Sequence, residues 1–254
     1  MSDEVLMSRH GPVLVITLNR PESRNSINLA MTQGIRRAVD ALDEDPALSV
    51  GIITGAGGTF CSGMDLKAFV RGERPSIDRG GFAGLVEAPP RKPLIAAVEG
   101  YALAGGFEIM LACDLIVAAQ DARFGVPEVK RGLAPSGGGL LRLPRRVPFH
   151  IAMEFCLTGE MMPAELAHQH GLVNRLVPAG KALETALQLA QTVAANAPLS
   201  LAAVKRVITQ SFTWPEDEMF ARQNPITSSL SESQDALEGA RAFAEKRAPR
   251  WKGV

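Results

Sequence analysis

The chain has 254 residues, 46% of them hydrophobic, with 27 basic and 27 acidic side chains and therefore a formal net charge of zero. That length allows one large domain, or one domain with a small appendage, with ample material for a core. Neutral charge argues against nucleic acid or an anionic membrane as the main partner, and no window reaches the ~18 uncharged apolar residues of a membrane span.

The N-terminal MSDEVLMSRHG has no basic stretch leading into an apolar one. Cys61, Cys113 and Cys156 are odd in number and widely spaced, as free thiols of a reducing compartment would be, so a cytoplasmic location is expected. Neither they nor the four histidines form a CxxC or HExxH pattern, and no metal is expected.

Val13 to Leu18 is β-branched and apolar and ends at Asn19-Arg20-Pro21, a strand and a turn. Asn28 is placed to cap a helix through about Asp43, on which Leu29, Ile35, Val39 and Leu42 recur at helical spacing. Val50 to Thr54 reads as a buried strand closed by Gly55-Ala56-Gly57-Gly58. Residues 72–93, rich in proline and glycine, predict a mobile loop. Leu94 to Val98 and Leu115 to Ala119 read as further strands, with a short buried helix from Ala104 to Ala112 between them. Strands alternating with helices argue for an α/β class with a largely parallel inner sheet. Beyond Pro163 a strand is expected at Leu172 to Val177, then helices at Ala182 to Asn196, Leu199 to Ser211 and about Glu232 to Arg247. The division expected is an α/β core over 1–195 and a helical part over 196–254, whose apolar faces suit a subunit interface.

Several chemistries fail on their motifs. Gly55-Ala56-Gly57-Gly58-Thr59-Phe60 follows a strand but lacks the last glycine of a dinucleotide fingerprint, no phosphate-binding GxxxxGK[ST] exists, and neither Ser62 nor Ser136 sits in a GxSxG elbow. Two carboxylates stand out instead. Glu108 follows Ala104-Gly105-Gly106-Phe107 in an apolar helix, and Glu128 follows Pro127, 20 residues on, with one strand between them. Paired carboxyls in unlike settings can divide into proton donor and proton acceptor. On spacing alone, the commoner arrangement would be Glu128 capping a turn and Glu108 pairing with a cation such as Arg123, because structural ion pairs are frequent. Gly105-Gly106 at a helix start leaves backbone N–H groups without internal partners, and the turn Gly63-Met64-Asp65 could supply a second donor to one oxygen.

Asn19-Arg20-Pro21, Arg24 to Asn28, GAGGTFCSGMDLK (Gly55 to Lys67) and KPLIAAVEGYALAGGFEIMLACDLIVAAQDARFGVPEVKRGL (Lys92 to Leu133) together resemble the crotonase, or enoyl-CoA hydratase/isomerase, superfamily. The similarity runs on through LTGEMMPAELAHQHGLVNRLVP (Leu157 to Pro178) to AFAEKRAPRWKG (Ala242 to Gly253), covering nearly the whole chain. It implies a spiral of ββα units with a helical C-terminal trimerisation region, a homotrimer or a hexamer built as a dimer of trimers, and an acyl-CoA thioester substrate. Coenzyme A then enters with the substrate, and no separate cofactor is expected. By motif position the two oxyanion-hole N–H groups fall on Met64 and Gly105, and the two glutamates of the hydratase branch on Glu108 and Glu128. Arg24 and Lys67 are candidates for the CoA phosphates, a chemistry suited to guanidinium and ammonium groups. Further substrate contacts are implied around Ser26, Ile27 and Ser62, at Asp65 and Leu66, and at Gly106, Pro127 and Ser136. Two departures stand: Ala104 replaces the first of three glycines found in well-known hydratases, and Ser136 stands where they often have glycine. The run Ser136 to Pro144 is similar to the carnitinyl-CoA dehydratase branch. The expected reaction is hydration of a trans-2-enoyl-CoA. Carnitinyl-CoA dehydration or double-bond isomerisation is the alternative, and a non-catalytic RNA-binding protein of the same fold is a remoter one.

Overall fold

The computed structural model describes residues 3–254. The chain opens with β1 (Val5–His10) and β2 (Val13–Leu18), an antiparallel pair. Helix α1 (Leu29–Glu44) follows, with Asn28 at its N-cap accepting the Met31 N–H at 2.8 Å, then β3 (Val50–Gly55) and α2 (Leu66–Val70). A short hairpin, β4 (Ser76–Ile77) and β5 (Gly81–Phe82), precedes β6 (Leu94–Val98), β7 (Tyr101–Leu103) and α3 (Gly105–Ala112). Next come β8 (Leu115–Ala119), β9 (Arg123–Gly125), α4 (Gly139–Arg142), α5 (Phe149–Thr158), β10 (Met162–Pro163), α6 (Ala164–Gln169) and β11 (Arg175–Val177). Four helices close the chain: α7 (Ala182–Ala194), α8 (Pro198–Ser211), α9 (Met219–Ser231) and α10 (Gln234–Ala244).

The six-stranded sheet runs β1-β2-β3-β6-β8-β11, parallel from β2 onward. Its central strands are buried on both faces, which explains their continuous apolar sequences. One face packs into the main core with α1 and α3; the other carries Val15, Ile52, Ile95 and Val117 against Ala182, Ala186 and Ala190 of α7.

A second, narrower sheet links successive turns of the chain. Ile27 bridges Met64, Cys61 bridges Ala102, Ala102 pairs with Phe124, and Phe124 with Met162. Each turn thus gives one strand to the wide sheet, a short one to the narrow sheet, and then a helix. This is the expected spiral of ββα units. Its consequence for function is geometric: the strand-to-helix junctions of successive turns, at Met64, Ala104 and Pro127, fall along one edge.

Three expectations are corrected. Residues 72–93 do not form a loose loop: Ala83, Leu85 and Val86 lie in the main core, and Arg36 on α1 donates from Nη1 to the Gly84 and Ala88 carbonyls. The strand expected at Leu172 to Val177 is confined to β11, because Leu172 and Val173 turn into the core ahead of it. The last helix spans Gln234 to Ala244 rather than 232–247; Ser233 caps it by accepting the Ala236 N–H, and Glu238 holds Arg247 beyond its end. Helices α8 to α10 bury little of themselves; α8 is tied to the core by Lys205, which pairs with Asp114 at 2.6 Å. Among the described residues no helix is long and apolar enough to cross a membrane.

Candidate active site

Ile27 donates its N–H to Gly63 O, and Asp65 returns its N–H to Ile27 O. This parallel bridge turns the Met64 N–H away from Ile27, and among the described residues it finds no acceptor. Asp65 caps α2, its Oδ1 accepting from the Lys67 and Ala68 N–H groups at 3.0 Å while Oδ2 pairs with Arg20. Burial opposes ionisation of Asp65, but those N–H groups and Arg20 outweigh it and hold the carboxyl below its usual value. The Asp65 side chain is therefore spent on building the turn that presents Met64.

One turn of the spiral later, Ala104 donates its N–H to Gly125 O and accepts the Glu108 N–H, so that Gly105 opens α3 with an N–H that has no acceptor among the described residues. Ala104 does this at φ 50° and ψ −127°, a conformation glycine favours. The two junctions touch. Gly63 has φ 98°, and a Cβ placed on it would lie 3.3 Å from the Gly105 nitrogen. Two unpaired N–H groups on adjoining turns suit an oxygen that gains negative charge.

Glu108 lies on α3 one turn beyond Gly105 and is only 4% exposed. Its Oε1 accepts the Gly139 N–H at 2.9 Å. Burial pushes its carboxyl up to about 7 and the charge of Glu128 adds to the rise, while the backbone N–H groups of Gly139 and Gly137 and the Arg142 guanidinium oppose it. Glu128 sits in the 3-10 turn Pro127–Arg131, where Pro127 occupies a first-turn position that needs no N–H. Its Oε2 is buried without a hydrogen-bond partner, and burial raises its pKa as well. Arg123 is not the partner of Glu108: its guanidinium bonds the Asp121 and Ala122 carbonyls. The charge of Glu128 is felt at Glu108, and the two carboxyls differ in setting, one cradled by N–H groups and one with an oxygen left free.

Of the other expected positions, Arg24 and Lys67 are exposed, and their side chains have no partner among the described residues. Their backbones adjoin, since Ser62 donates to Arg24 O. Leu66, beside Lys67, is half exposed. Ser26 and Ile27 are buried; Ser26 O accepts from Arg20, and the Ile27 side chain lies in the core, so both act through the backbone. Ser62 Oγ is turned to Ser23 O at 3.4 Å. Gly106 lets α3 approach Cys61, whose carbonyl carbon would lie 2.8 Å from a Cβ there. Ser136 is exposed and adjoins the loop that holds Glu108. Sequence reasoning missed Gly137 and Gly139 as the cradle of Glu108, Phe82 beside Gly105, and Arg142; the run of three glycines after Ser136 was the one local signal.

The description of the family whose model matches residues 8–254 is enoyl-CoA hydratase/isomerase. The carnitinyl-CoA dehydratase of Salmonella typhi is 46% identical over 261 residues, with full coverage of both chains. The crystal structure of an enoyl-CoA hydratase from Mycobacterium tuberculosis superposes with a TM-score of 0.98 at 56% identity over the whole of both chains. That of a carnitinyl-CoA hydratase from Mycobacterium avium does so at 0.79 and 42%, again with full coverage. With spiral, paired carboxyls and full-length similarity in agreement, the chain belongs to the enoyl-CoA hydratase/isomerase, or crotonase, family, whose members act on acyl-CoA thioesters, and is an enzyme of its hydratase and dehydratase kind.

Proposed function

We propose that the enzyme catalyses reversible addition of water to a trans-2-enoyl-CoA, giving the 3-hydroxyacyl-CoA. The observation that carries this reading is the pairing of Glu108 and Glu128 beside two unpartnered backbone N–H groups. The thioester oxygen accepts from the Met64 and Gly105 N–H groups. Water is held by Glu108; as its oxygen bonds C3, its proton passes to Glu108, and the proton of Glu128 passes to C2. The electron pair of the double bond is carried for that interval as enolate charge on the thioester oxygen, where loss of one N–H donor costs roughly 2.7–4 kcal/mol. Dehydration runs the same transfers backward. No cofactor beyond the substrate's own CoA takes part, and Arg24 and Lys67 meet its phosphates at the mouth.

Dehydration of a carnitinyl-CoA is the second reading, favoured by the full-length 46% relative of that name. It uses the same proton transfers on a different acyl group. Isomerisation needs no water and leaves one carboxyl idle. The basic clusters offer little to RNA: Arg142 turns inward, Arg145 sits over the Phe212 ring, and Arg247 is paired with Glu238 and Glu245. Assembly is proposed as a homotrimer, or a hexamer of two trimers, through α8 to α10, where Ile208, Phe212, Phe220 and Phe243 are exposed in the single chain.

The test is a thioester panel, crotonyl-CoA and carnitinyl-CoA included, followed by loss or gain of the conjugated double bond for the wild type, Glu108→Gln and Glu128→Gln. Each variant is expected to lose 10²- to 10⁴-fold in rate, an order of magnitude typical of a removed acid or base. Wild-type rates in either variant on the preferred substrate would sink the two-carboxyl mechanism.

A further inference from the structure

Gly137, Gly138 and Gly139 form a wall one backbone thick between two opposite charges. A Cβ on Gly137 would fall 2.6 Å from Glu108 Oε2, and one on Gly139 would fall 3.1 Å from Oε1. A Cβ on Gly138, which has φ 97° and faces the other way, would overlap Arg142 Nη1. The guanidinium therefore packs against the back of the loop whose front holds the carboxylate. Arg142 donates from Nη1 to Gly137 O, at 3.4 Å, and from Nη2 to Val86 O, at 2.5 Å. Val86 is buried, and the carbonyls on either side of it, of Gly84 and Ala88, are held by Arg36. The same segment carries Phe82 against Gly105, its Cζ 2.5 Å from where a Cβ on that glycine would be.

We propose that Arg142 is a positioning residue for the reaction: it fixes the Gly137–Gly139 loop so that its N–H groups meet Glu108, and ties that loop to the Val86 segment that covers the other side of the site. Three consecutive glycines have the least conformational restraint a chain can have, so a loop made of them needs an external brace to present N–H groups in one direction. Arg142 supplies that brace with its Gly137 bond and its packing on Gly138. The groups that face Glu108 are the Gly139 and Gly137 N–H groups, the Glu128 carboxyl, the Cys156 thiol on α5 and Arg142, the cation among them. Glu108's ionisation and the loop's shape therefore depend on the same side chain. The proposal rests on the reading of Glu108 as the group that takes the water proton.

The test uses the full chain in its native assembly, with Arg142→Met, Arg142→Lys and Glu108→Gln. The infrared band of the protonated Glu108 carboxyl, identified by its loss in Glu108→Gln, is titrated without substrate. Arg142→Met should move its midpoint upward from about 7, by about 0.5 to 1 pH unit. Arg142→Lys should return the midpoint most of the way, because it restores the charge. Both variants should lose kcat on crotonyl-CoA, by about tenfold or more, with KM changing less, because an ammonium cannot bridge the Gly137 and Val86 carbonyls as a guanidinium does. An unshifted midpoint in Arg142→Met, or a wild-type kcat in Arg142→Lys, would overturn the proposal. If Arg142→Met fails to fold, Arg142→Lys decides alone: a lowered kcat at an unshifted midpoint supports the tie. If Glu108→Gln hydrates at the wild-type rate while Arg142→Met still shifts the midpoint, the role given to Glu108 fails and the tie stands.

Discussion

The Phe82 ring occupies the space that a side chain on Gly105 would need. An aromatic ring from the β5 hairpin therefore lies against Gly105, the residue that opens α3, and an acyl chain held beside Gly105 would share that space with the ring. Phe82→Ala should raise kcat/KM for longer enoyl thioesters relative to crotonyl-CoA, by about tenfold, the scale of one or two methylenes in an apolar pocket. A chain-length series measured on both proteins checks this, and parallel profiles would place the acyl group elsewhere.

Activity should depend on pH through one proton shared by the two carboxyls. Hydration starts with that proton on Glu128 and dehydration starts with it on Glu108, so both directions use the singly protonated pair. Burial and the neighbouring charge hold Glu108 at about 7, which sets the alkaline limb: kcat/KM falls as pH rises through that value. The acid limb follows Glu128, which burial raises above an ordinary glutamate, so it lies at higher pH than a solvated carboxyl would give. These are apparent values of the pair. Measured kcat/KM in the two directions should trace the same bell, and a bell displaced between directions would refute the shared proton.

Glu108 also lowers stability in a defined pH window. Its carboxyl is raised from 4.5 to about 7 on folding, so the stability it permits is fully present below 4.5 and is lost as pH rises to about 7, where the folded state must ionise it. The difference amounts to up to about 3 kcal/mol. Glu108→Gln, which keeps an oxygen to accept the Gly139 N–H, should therefore unfold later than the wild type at pH 8 and show little advantage at pH 4. Equal denaturant midpoints at both pH values would contradict the buried, raised carboxyl.

Ala104 carries backbone strain at the junction that opens α3. A β-carbon at φ 50° and ψ −127° costs on the order of 1–3 kcal/mol. Glycine removes that cost and adds about 0.4–1 kcal/mol of unfolded-state entropy. Ala104→Gly should therefore stabilise the fold by about 1 kcal/mol, a rise of roughly 2–4 °C in thermal midpoint for a chain of this size. Calorimetry at one pH is sufficient, and a lowered midpoint would show that the surroundings accommodate the methyl.

The spiral core was legible where local chemistry decides structure. Strands β2, β3, β6 and β8 are continuous apolar runs, and Asn28 announces α1 by the N–H it accepts. Strand β1 was not legible, because five of its six residues are exposed and only pairing with β2 makes it a strand. The 72–93 segment misled because its prolines and glycines are local, whereas what pins it is Arg36, about fifty positions away in sequence. Helix α9 was missed with Pro225 inside it. Family resemblance pointed to Glu108, Glu128, Met64 and Gly105; it did not reveal that Gly139 cradles Glu108 from 31 residues downstream, a contact without local periodicity.

The glycine wall also sets where this enzyme can change. In a saturation library, codons 137 and 138 should tolerate least, since a Cβ there displaces the Glu108 carboxyl or the Arg142 guanidinium, whereas a Cβ at 139 meets Glu108 at 3.1 Å and asks for a smaller shift. Exposed Ser136, one position upstream, meets no such barrier. Variation in substrate preference is thus channelled to the rim, at positions such as 136 and 82, while the interior pair of charges stays fixed.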